Sequence, residues 1–440
     1  MTLVTSLAVT LADELDPQRI RSIGIESPES GDTSAAWGIR VSGHVLGASS
    51  PVDRVEAAVT GHVLAHQQPH LPTPDVAMRH PGTPGSDACG FSLLADTASL
   101  RENFTITIRA VLADGPVVPF ATVTGIRRAI ASGYQPRLRP LLLNSFGRTG
   151  TTLLMRLLSA HPGVICYDLP PYEIRGGKYW THLLRVLGAP ADNSRQIGSP
   201  MDFQSELYAA SGNPFYASDF AASSGVESWS GSRYVEQLAA FCQRSTDGWY
   251  GAVATAQGKD PAPLVYFAEK HFPDVYPRLI RSVYPQAHEL FLVRDFRDMI
   301  SSMLAYNARK GMGDFGRLRV ASDEAWLDFM HELFVIMLAA YRERGEPGSL
   351  IHYEALISDP AAVLVPLLTR LGLDASPPTL AAMLAVIDAP ELRGHGSSAS
   401  AEASVGRWRR DLTPEMQAMI EAKFGDLLEA FGYSTGPSRN

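Results

Sequence analysis

Residues Leu141–Ser159, which read LLLNSFGRTGTTLLMRLLS, decide the fold class of this chain. The apolar start predicts a buried strand, the two glycines predict a tight turn, and the leucine-rich end predicts a helix. Backbone N–H groups at the start of a helix present partial positive charge to an anion. The turn therefore predicts an anion-binding loop, whose candidate binding residues are Gly147, Arg148, Thr149, Gly150, Thr151 and Thr152.

This loop lacks the lysine that nucleotide triphosphatases carry in the pattern G-x-x-x-x-G-K-[ST]. When Gly150 is aligned with the second glycine, Ser145 occupies the first glycine position and Thr151 occupies the lysine position. The mismatch argues against hydrolysis of ATP or GTP, and Arg148 offers a bidentate guanidinium in place of the lysine. A glycine-containing turn between a strand and a helix, with an exposed arginine, is the structural alternative.

Composition excludes several classes of protein. The 440 residues carry a formal net charge of −8, so a general surface for nucleic acid or anionic membrane is not expected. Three scattered cysteines are too few for a disulfide framework or a zinc cluster, and no metal site is predicted. No stretch approaches the roughly 18 apolar residues of a membrane span, and the N-terminus lacks the basic segment of a signal peptide. These features predict a cytoplasmic protein.

The pattern of predicted strands and helices changes near residue 135. Residues 1–135 contain short runs rich in Val, Thr and Ile between turn residues, which predicts a small β-sandwich domain. Residues 136–440 alternate strands with helices, which predicts an α/β domain with a parallel sheet flanked by helices. Residues 188–262, rich in Gly, Ser, Ala and aromatic side chains, are interpreted either as a cap on the acceptor side or as a surface insertion.

Two further basic elements follow the loop along the chain. In VRDFRDMISS, Arg294 comes at the carboxyl end of a predicted strand, where parallel sheets bind ligands, and Ser302 follows eight residues later. The second element, SVGRWRRDL, combines a flexible backbone, guanidinium groups and an indole at Gly406, Arg407 and Trp408. Each feature alone has an ordinary alternative, namely a surface ion pair, a mid-helix serine and a solvated basic turn.

Together these elements resemble the sulfotransferases that use 3′-phosphoadenosine 5′-phosphosulfate (PAPS), over about residues 140–435. The motif GRTGTT resembles the 5′-phosphosulfate loop of that family. Arg294 and Ser302 resemble its 3′-phosphate element, and SVGRWRRDL resembles the late loop that closes over the 3′-phosphate. HYEALISDP (352–360) also matches a phrase common in these enzymes, and the four motifs stand in the family's order on the expected elements.

The resemblance implies a P-loop-like fold, PAPS as the sulfuryl donor, and in-line transfer to a hydroxyl group without a metal. The implied acceptor is a small-molecule or carbohydrate-like hydroxyl. An arginine at position 148 resembles the Golgi and bacterial branches, because the cytosolic branch carries a lysine there. Arg148 would then act as a charge clamp and not as a proton donor, since a guanidinium keeps its proton at neutral pH.

The resemblance also implies a catalytic base, for which the sequence offers two candidates. Glu173 is preferred, because the Golgi and bacterial branches carry a glutamate base in this region, and Asp168 is a weaker choice nearby. His271, spaced as His-x-Pro with Pro273, resembles the histidine base of the cytosolic branch. Lys270 is the candidate for a second catalytic cation near the bridging oxygen.

Structural alternatives stand beside these assignments. Glu173 could form an ion pair with Arg175 or Lys178, and Lys270 could form a surface pair with Glu269. A histidine in a loop often packs or caps. Two other functions also stay open: a P-loop kinase or triphosphatase with Asp295 as its Mg²⁺ ligand, and a nucleotide-binding module without catalysis. The β-rich domain could orient the acceptor, mediate assembly or stabilise the fold.

Overall fold

The computed structural model of the chain describes residues 2–60, 62–169, 172–188, 215, 229–311, 315–317, 320, 322–387 and 400–435. Most of the predicted cap (189–214 and 216–228) lies outside the described residues. The described residues form two compact units. The first comprises the chain up to Gln135, Lys178–Ser245 and Arg278–Pro285, and the second comprises Pro136–Gly177, Thr246–Pro277 and the chain from Gln286. The domain bounds 1–135 and 136–440 stay a prediction.

The N-terminal part of the first unit is built from two antiparallel sheets. Its elements are β1 (Val4–Leu11), β2 (Ile20–Ser27), β3 (Gly38–Gly47), β4 (Val52–Val59), β5 (His62–Gln67), α1 (Pro74–Arg79), β6 (Gly90–Asp96), β7 (Asn103–Leu112) and β8 (Val117–Arg127). The larger sheet has the strand order β1-β8-β7-β4-β5, and the smaller sheet has the order β2-β3-β6.

The alternating sequence pattern explains how these two sheets pack. In β7 the side chains of Phe104, Ile106 and Ile108 are buried, whereas Thr105 between them is exposed. Buried side chains from both sheets join one core, in which the rings of Phe91 and Phe120 meet edge to face at 6.0 Å. Two sheets that share a core form a β-sandwich. The prediction of an N-terminal β-sandwich is therefore confirmed.

Strands and helices alternate after Pro136. The elements are β9 (Arg139–Asn144), α2 (Thr151–Ala160), β10 (Val164–Ile165), α3 (Gly176–Gly188), α4 (Ser232–Ala256), β11 (Tyr266–His271), α5 (Val275–Val283), β12 (His288–Val293), α6 (Phe296–Lys310), α7 (Asp323–Arg344), β13 (Leu350–His352), α8 (Tyr353–Ser358), α9 (Pro360–Arg370), α10 (Pro377–Leu384), α11 (Trp408–Asp411) and α12 (Pro414–Ala430). A 3₁₀ turn spans Glu402–Ser404. The helices α3, α4 and α5 each continue from one unit into the other.

The sheet of the second unit is parallel, with the strand order β10-β11-β9-β12-β13. Alternate residues of β12 join different cores. Leu290 and Leu292 pack with the buried side of α2, whereas Phe291 and Val293 pack with buried residues of α6, α7 and α12. Helices thus cover both faces of the sheet, which explains its continuous apolar strands. The predicted parallel sheet flanked by helices is confirmed.

The parallel arrangement brings three predicted elements to one edge of the sheet. In the register of the ladder, Asn144 at the end of β9 lies opposite His271 of β11 and Phe291 of β12. The anion-binding loop, Lys270 and Arg294 therefore all occur at carboxyl ends of adjacent strands. Within the described ranges, no helix has both the length and the apolar character needed to cross a bilayer.

Candidate active site

Side chains of the loop Ser145–Gly150 fix the shape of the turn between β9 and α2. The Ser145 hydroxyl donates to the Leu292 carbonyl of β12 (2.7 Å) and lies 2.6 Å from the Thr149 hydroxyl. Thr149 Oγ1 also lies 2.8 Å from the Phe146 carbonyl oxygen. The Thr149 hydroxyl is therefore used inside the loop, where it holds the loop's shape.

Two residues of this loop have a positive φ. At Gly150, which precedes α2, φ is 92°, and an added Cβ would lie 2.3 Å from the Tyr353 ring, so only glycine fits. Arg148 has a φ of 70°, which costs a residue with a side chain about 1–2 kcal/mol. Strain of this kind is commonly kept at functional sites. After this loop, the N–H groups of Thr151 and Thr152 lie in the first turn of α2, where the helix itself provides no acceptor for them.

Arg148 and Ser302 meet although 154 residues separate them. Arg148 Nε donates to Ser302 Oγ (3.2 Å), and the guanidinium lies 4.9 Å from the centroid of the Tyr306 ring. Ser302 lies within α6 and is 1% exposed. The structure therefore brings together the loop arginine and the mid-helix serine, two residues that sequence analysis had placed in separate motifs.

Arg294 joins the loop to the segment before α11. Its Nη1 donates to the Arg148 carbonyl (3.0 Å), and its Nη2 donates to the Ser404 carbonyl (2.5 Å). The guanidinium is buried and lies 4.7 Å from the centroid of the Tyr353 ring. Its Nε is also buried and has no hydrogen-bond partner among the described residues. Arg294 therefore holds two loops with one part of its fork and leaves a donor for a ligand.

The late basic segment is attached to α6 by Asp298. The carboxylate of Asp298 accepts hydrogen bonds from the backbone N–H groups of Gly406 (2.6 Å) and Trp408 (2.9 Å). Burial raises the pKa of Asp298, and these two N–H groups oppose that rise without cancelling it. Arg407 is buried and pairs with Asp411 (2.7 Å). The structure thus places Gly406, Arg407 and Trp408 beside the helix that carries Ser302.

Like charges crowd this part of the second unit. Burial lowers the pKa of the Arg148 guanidinium, and the nearby Arg294, Arg309 and Arg407 lower it further, whereas Tyr306 acts in the opposite direction. Guanidiniums held close together repel one another unless an anion compensates their charge. The arrangement is therefore suited to a multiply charged anion.

Glu173 and Lys270 form a second polar pair at the edge of the sheet. Lys270 Nζ donates to Glu173 Oε1 (2.6 Å), and Arg175 donates to Glu173 Oε2 (2.7 Å). Burial acts to raise the pKa of Glu173, but Lys270 and Arg175 outweigh it and hold the pKa below its ordinary value. Lys270 is buried, and burial lowers its pKa despite the neighbouring carboxylate. The Glu173 side chain is 49% exposed, so its carboxylate is reachable from solvent.

The sequence was compared with known families. Residues 140–377, more than half of the chain, match the family described as the sulfotransferase family. The chain belongs to the sulfotransferase family. This membership makes it an enzyme of sulfuryl transfer. The match spans the anion-binding loop, Glu173, Lys270, Arg294 and Ser302, and it ends before Gly406.

Solved structures of sulfotransferases are also similar to this sulfotransferase. The sulfotransferase domain from the curacin biosynthetic pathway has 15% identity and a TM-score of 0.37, covering 69% of this chain and 100% of that one. The domain from the Synechococcus PCC 7002 olefin synthase has 18% identity and a TM-score of 0.36, covering 70% and 98%. A sulfotransferase from Mycobacterium avium has 15% identity and a TM-score of 0.34, covering 68% and 79%. The assignment rests on the family match alone at these TM-scores. The chain has no significant match among curated proteins.

The other candidate base of this sulfotransferase lies in a closed environment. The His271 side chain is 0% exposed, and its Nε2 lies 3.1 Å from Glu269 Oε2. Next to it, Lys270 donates to Glu173, whereas Glu269 binds His271. Asp168 is exposed, with its backbone N–H bonded to Gln257. Of the three candidate bases, Glu173 combines exposure with a cationic partner.

Asp295, the Mg²⁺ ligand required by the kinase alternative, is part of an ion pair in this sulfotransferase. Its carboxylate accepts from Arg297 Nε (3.0 Å) and Nη2 (2.8 Å), and it also caps α6 through the Arg297 backbone N–H. Across the described ranges, no group of three or more His, Cys, Asp or Glu side chains is placed to hold a metal ion.

Three residues around the anion site escaped sequence analysis. Asp298 tethers the late segment, Ser404 presents its carbonyl to Arg294, and Tyr353 stacks on Arg294 and bonds Ser404 Oγ (3.0 Å). All three lie within the quoted motifs, Asp298 in VRDFRDMISS, Tyr353 in HYEALISDP and Ser404 at the start of SVGRWRRDL. Ser404 acts through its backbone, for which a sequence motif carries no signal.

Proposed function

We propose that this sulfotransferase transfers the sulfuryl group of PAPS to the hydroxyl of a small-molecule or carbohydrate-like acceptor, by in-line displacement and without a metal. The observation that supports the proposal best is the meeting of Arg148 of the loop with Arg294 and Ser302 of the VRDFRDMISS motif, about 150 residues further along the chain. Phosphate and sulfate groups are anions that bidentate guanidiniums and helix N-termini bind readily. A donor with phosphate at both its 3′ and 5′ ends carries the two anionic groups that these guanidiniums and the loop would bind.

The residues present fit such a donor. The unpartnered, buried Nε of Arg294 is a donor that requires an acceptor, and a 3′-phosphate beside Ser302 would provide one. The N–H groups from Gly147 to Thr152 and the Arg148 side chain would hold the 5′-phosphosulfate. Gly406, Arg407 and Trp408 would close over the 3′-phosphate from the late segment.

PAPS supplies an activated sulfuryl group, so that the acceptor oxygen bonds to sulfur while the bond from sulfur to the 5′-phosphate oxygen breaks. Glu173 takes the proton of the acceptor hydroxyl, because its carboxylate is exposed and ionised near neutral pH, although the cations that lower its pKa also make it a weaker base. Lys270 orients this carboxylate and supplies positive charge at the same edge of the sheet. Arg148 provides fixed charge for the leaving phosphate.

A thermal-shift comparison tests the choice of nucleotide. We expect 3′,5′-ADP, the product of PAPS, to raise the melting temperature, since saturating ligand at about 100 times its Kd adds about 2.7 kcal/mol of stability. ATP with Mg²⁺ should give a smaller shift, and EDTA should leave the effect of 3′,5′-ADP unchanged. A larger shift with ATP and Mg²⁺ would favour the kinase alternative and overturn the proposal.

An acceptor screen with PAPS, with release of 3′,5′-ADP as its signal, tests the chemistry. With any acceptor that the screen identifies, Glu173→Gln should lower turnover by about 10²- to 10⁴-fold while 3′,5′-ADP still binds. His271→Ala should lower turnover less than Glu173→Gln. Near-full activity of both variants would show that neither residue is the base. Cytoplasmic location and the small-molecule class of the acceptor are part of this proposal.

A further inference from the structure

Glu269 is a buried carboxylate one residue before Lys270, and it binds three donors. Its Oε1 accepts from the backbone N–H of Gly177 (2.6 Å) and from the Tyr250 hydroxyl (2.6 Å), and its Oε2 accepts from His271 Nε2 (3.1 Å). A buried charge is costly unless hydrogen bonds compensate it. The three donors outweigh burial, which acts in the opposite direction, and hold the pKa of Glu269 below its ordinary value.

Glu269 and Lys270 hold opposite ends of the same short segment. Lys270 donates to the side chain of Glu173, and Glu269 accepts from the backbone of Gly177, at the start of α3. Because side chains alternate along a strand, these neighbours in β11 act on opposite faces of the sheet. The segment 173–177 is therefore fixed at both ends by consecutive residues of one strand.

We infer that Glu269 is a positioning residue for Glu173, an inference that rests on the role of Glu173 in the proposed function. Glu269 holds the start of α3, so that the exposed Glu173 carboxylate keeps a fixed place beside Lys270. His271 donates to Glu269 and supports the same anchor, which gives this buried imidazole a role other than that of the base.

Two glycines make the anchor possible. A Cβ at Gly176 would lie 2.3 Å from the Trp249 ring, and a Cβ at Gly177 would lie 2.8 Å from the Phe267 ring and 3.1 Å from Glu269 Oε1. The start of α3 thus approaches β11 more closely than a residue with a side chain allows. The first N–H groups of a helix have no internal acceptor, and the Glu269 carboxylate provides one.

Two variants break the anchor in different ways. Gly177→Ala introduces a clash without changing any charge, and Glu269→Gln removes the charge and sets the new amide group against the His271 N–H. Tyr250→Phe is the matched control, because it removes one donor from Glu269 and leaves the bond to Gly177 in place. Glu173→Gln provides the background for a double-mutant cycle.

Hydrogen–deuterium exchange over residues 172–180 of the full chain tests the anchor without any ligand. We expect exchange at the start of α3 to rise at least about tenfold in Gly177→Ala and Glu269→Gln, because the amide loses its acceptor, and to change little in Tyr250→Phe. Unchanged exchange in both anchor variants would overturn the inference, whatever the enzyme's activity.

Turnover of PAPS, with water as the acceptor and 3′,5′-ADP release as the signal, tests the positioning role. Misplacement of a catalytic group by about 1 Å can cost about 10²-fold, so both anchor variants should lose about 10- to 100-fold in rate and bind 3′,5′-ADP within about twofold. In the Glu173→Gln background they should cost no further rate. An equal loss in both backgrounds would overturn the positioning role but leave the proposed function intact. Failure of the unaltered protein to bind 3′,5′-ADP would overturn the proposed function, and the exchange result would still decide the anchor.

Discussion

Replacement of Arg294 by lysine is the sharpest test of the anion site. Two N–H groups of the Arg294 fork donate to the carbonyls of Arg148 (3.0 Å) and Ser404 (2.5 Å), and its buried Nε has no hydrogen-bond partner among the described residues. Lysine keeps the positive charge. Its single ammonium on a flexible stem cannot reproduce a planar fork that bonds two carbonyls and an anion together.

The magnitude follows from the hydrogen bonds that the substitution removes. One hydrogen bond to a charged group contributes about 1.5–3 kcal/mol, and about 1.4 kcal/mol corresponds to a tenfold change in Kd. Loss of the Nε–phosphate bond should therefore weaken binding of 3′,5′-ADP by about 10- to 100-fold. Loss of the hydrogen bonds to the two carbonyls also loosens both loops, which should weaken the binding of every nucleotide to a similar degree.

A pair of nucleotides separates these two effects. Calorimetric Kd values for 3′,5′-ADP and for 5′-AMP, which lacks the 3′-phosphate, should be measured at one ionic strength, because salt screens such contacts. The preference for 3′,5′-ADP over 5′-AMP should fall about 10- to 100-fold in Arg294→Lys. Arg297→Lys is the matched control: Arg297 is equally buried, but it binds Asp295 (2.8 Å) and stacks on Trp408 (4.2 Å).

Either of two results would refute the reasoning. If Arg294→Lys weakens the binding of 3′,5′-ADP and of 5′-AMP by the same factor, Arg294 only holds the two loops together and does not bind a 3′-phosphate. If Arg297→Lys lowers the preference as strongly as Arg294→Lys, the effect belongs to disruption of the buried arginines in general.

Three further predictions concern the loop and the base. Because the lowered pKa keeps Glu173 ionised, the pH profile of kcat/KM should lose activity only as pH falls below the ordinary glutamate value of about 4.3, whereas an acidic limb near about 6.5 would point to a histidine. Arg148→Gly should relieve about 1–2 kcal/mol of positive-φ strain, and the conformational entropy of glycine should offset about 0.5–1 kcal/mol of that gain. Urea denaturation should therefore show no loss of stability, whereas the affinity for 3′,5′-ADP should fall at least about tenfold. A clear loss of stability would contradict this reasoning. Gly150→Ala should lower the free energy of unfolding by about 2–5 kcal/mol, because backbone strain adds to a 2.3 Å contact between the new Cβ and the Tyr353 ring. Gly133→Ala is the control, because a Cβ at Gly133 meets no other atom within 4 Å. Equal melting temperatures of the two variants would disprove the clash.

The fold could be predicted largely from local patterns. The alternation in β7 predicts burial on one face, and the apolar run of β9 predicts burial on both faces. The glycines of the loop predict a turn. Those signals act within a few residues, so a single sequence displays them. The grouping of Lys178–Ser245 with the β-rich residues has no such signal, because it arises from packing between distant parts of the chain.

The site was less accessible to sequence reasoning because its contacts are long-range. Lys270 and Glu173 are 97 residues apart, and the bond from Arg294 to the Ser404 carbonyl spans 110 residues. The sequence suggested a catalytic role for each residue of the first pair without joining the two, and the second contact depends on a backbone atom that every residue type shares. Motifs identified the participants, whereas only the tertiary structure assigned their partners.

The cluster of arginines places positive charge where a nucleotide triphosphatase would carry its loop lysine. Three segments meet at Arg294, whose guanidinium donates to the carbonyls of Arg148 and Ser404, and Arg148 in turn donates to the hydroxyl of Ser302. These neutral acceptors orient the guanidiniums but leave their mutual repulsion in place, and this repulsion adds to burial in lowering the pKa of Arg148. The protein therefore keeps the charge available and fixes its geometry before the ligand arrives. An anion then gains attraction without the cost of ordering the loops, which is the advantage of a preorganised site.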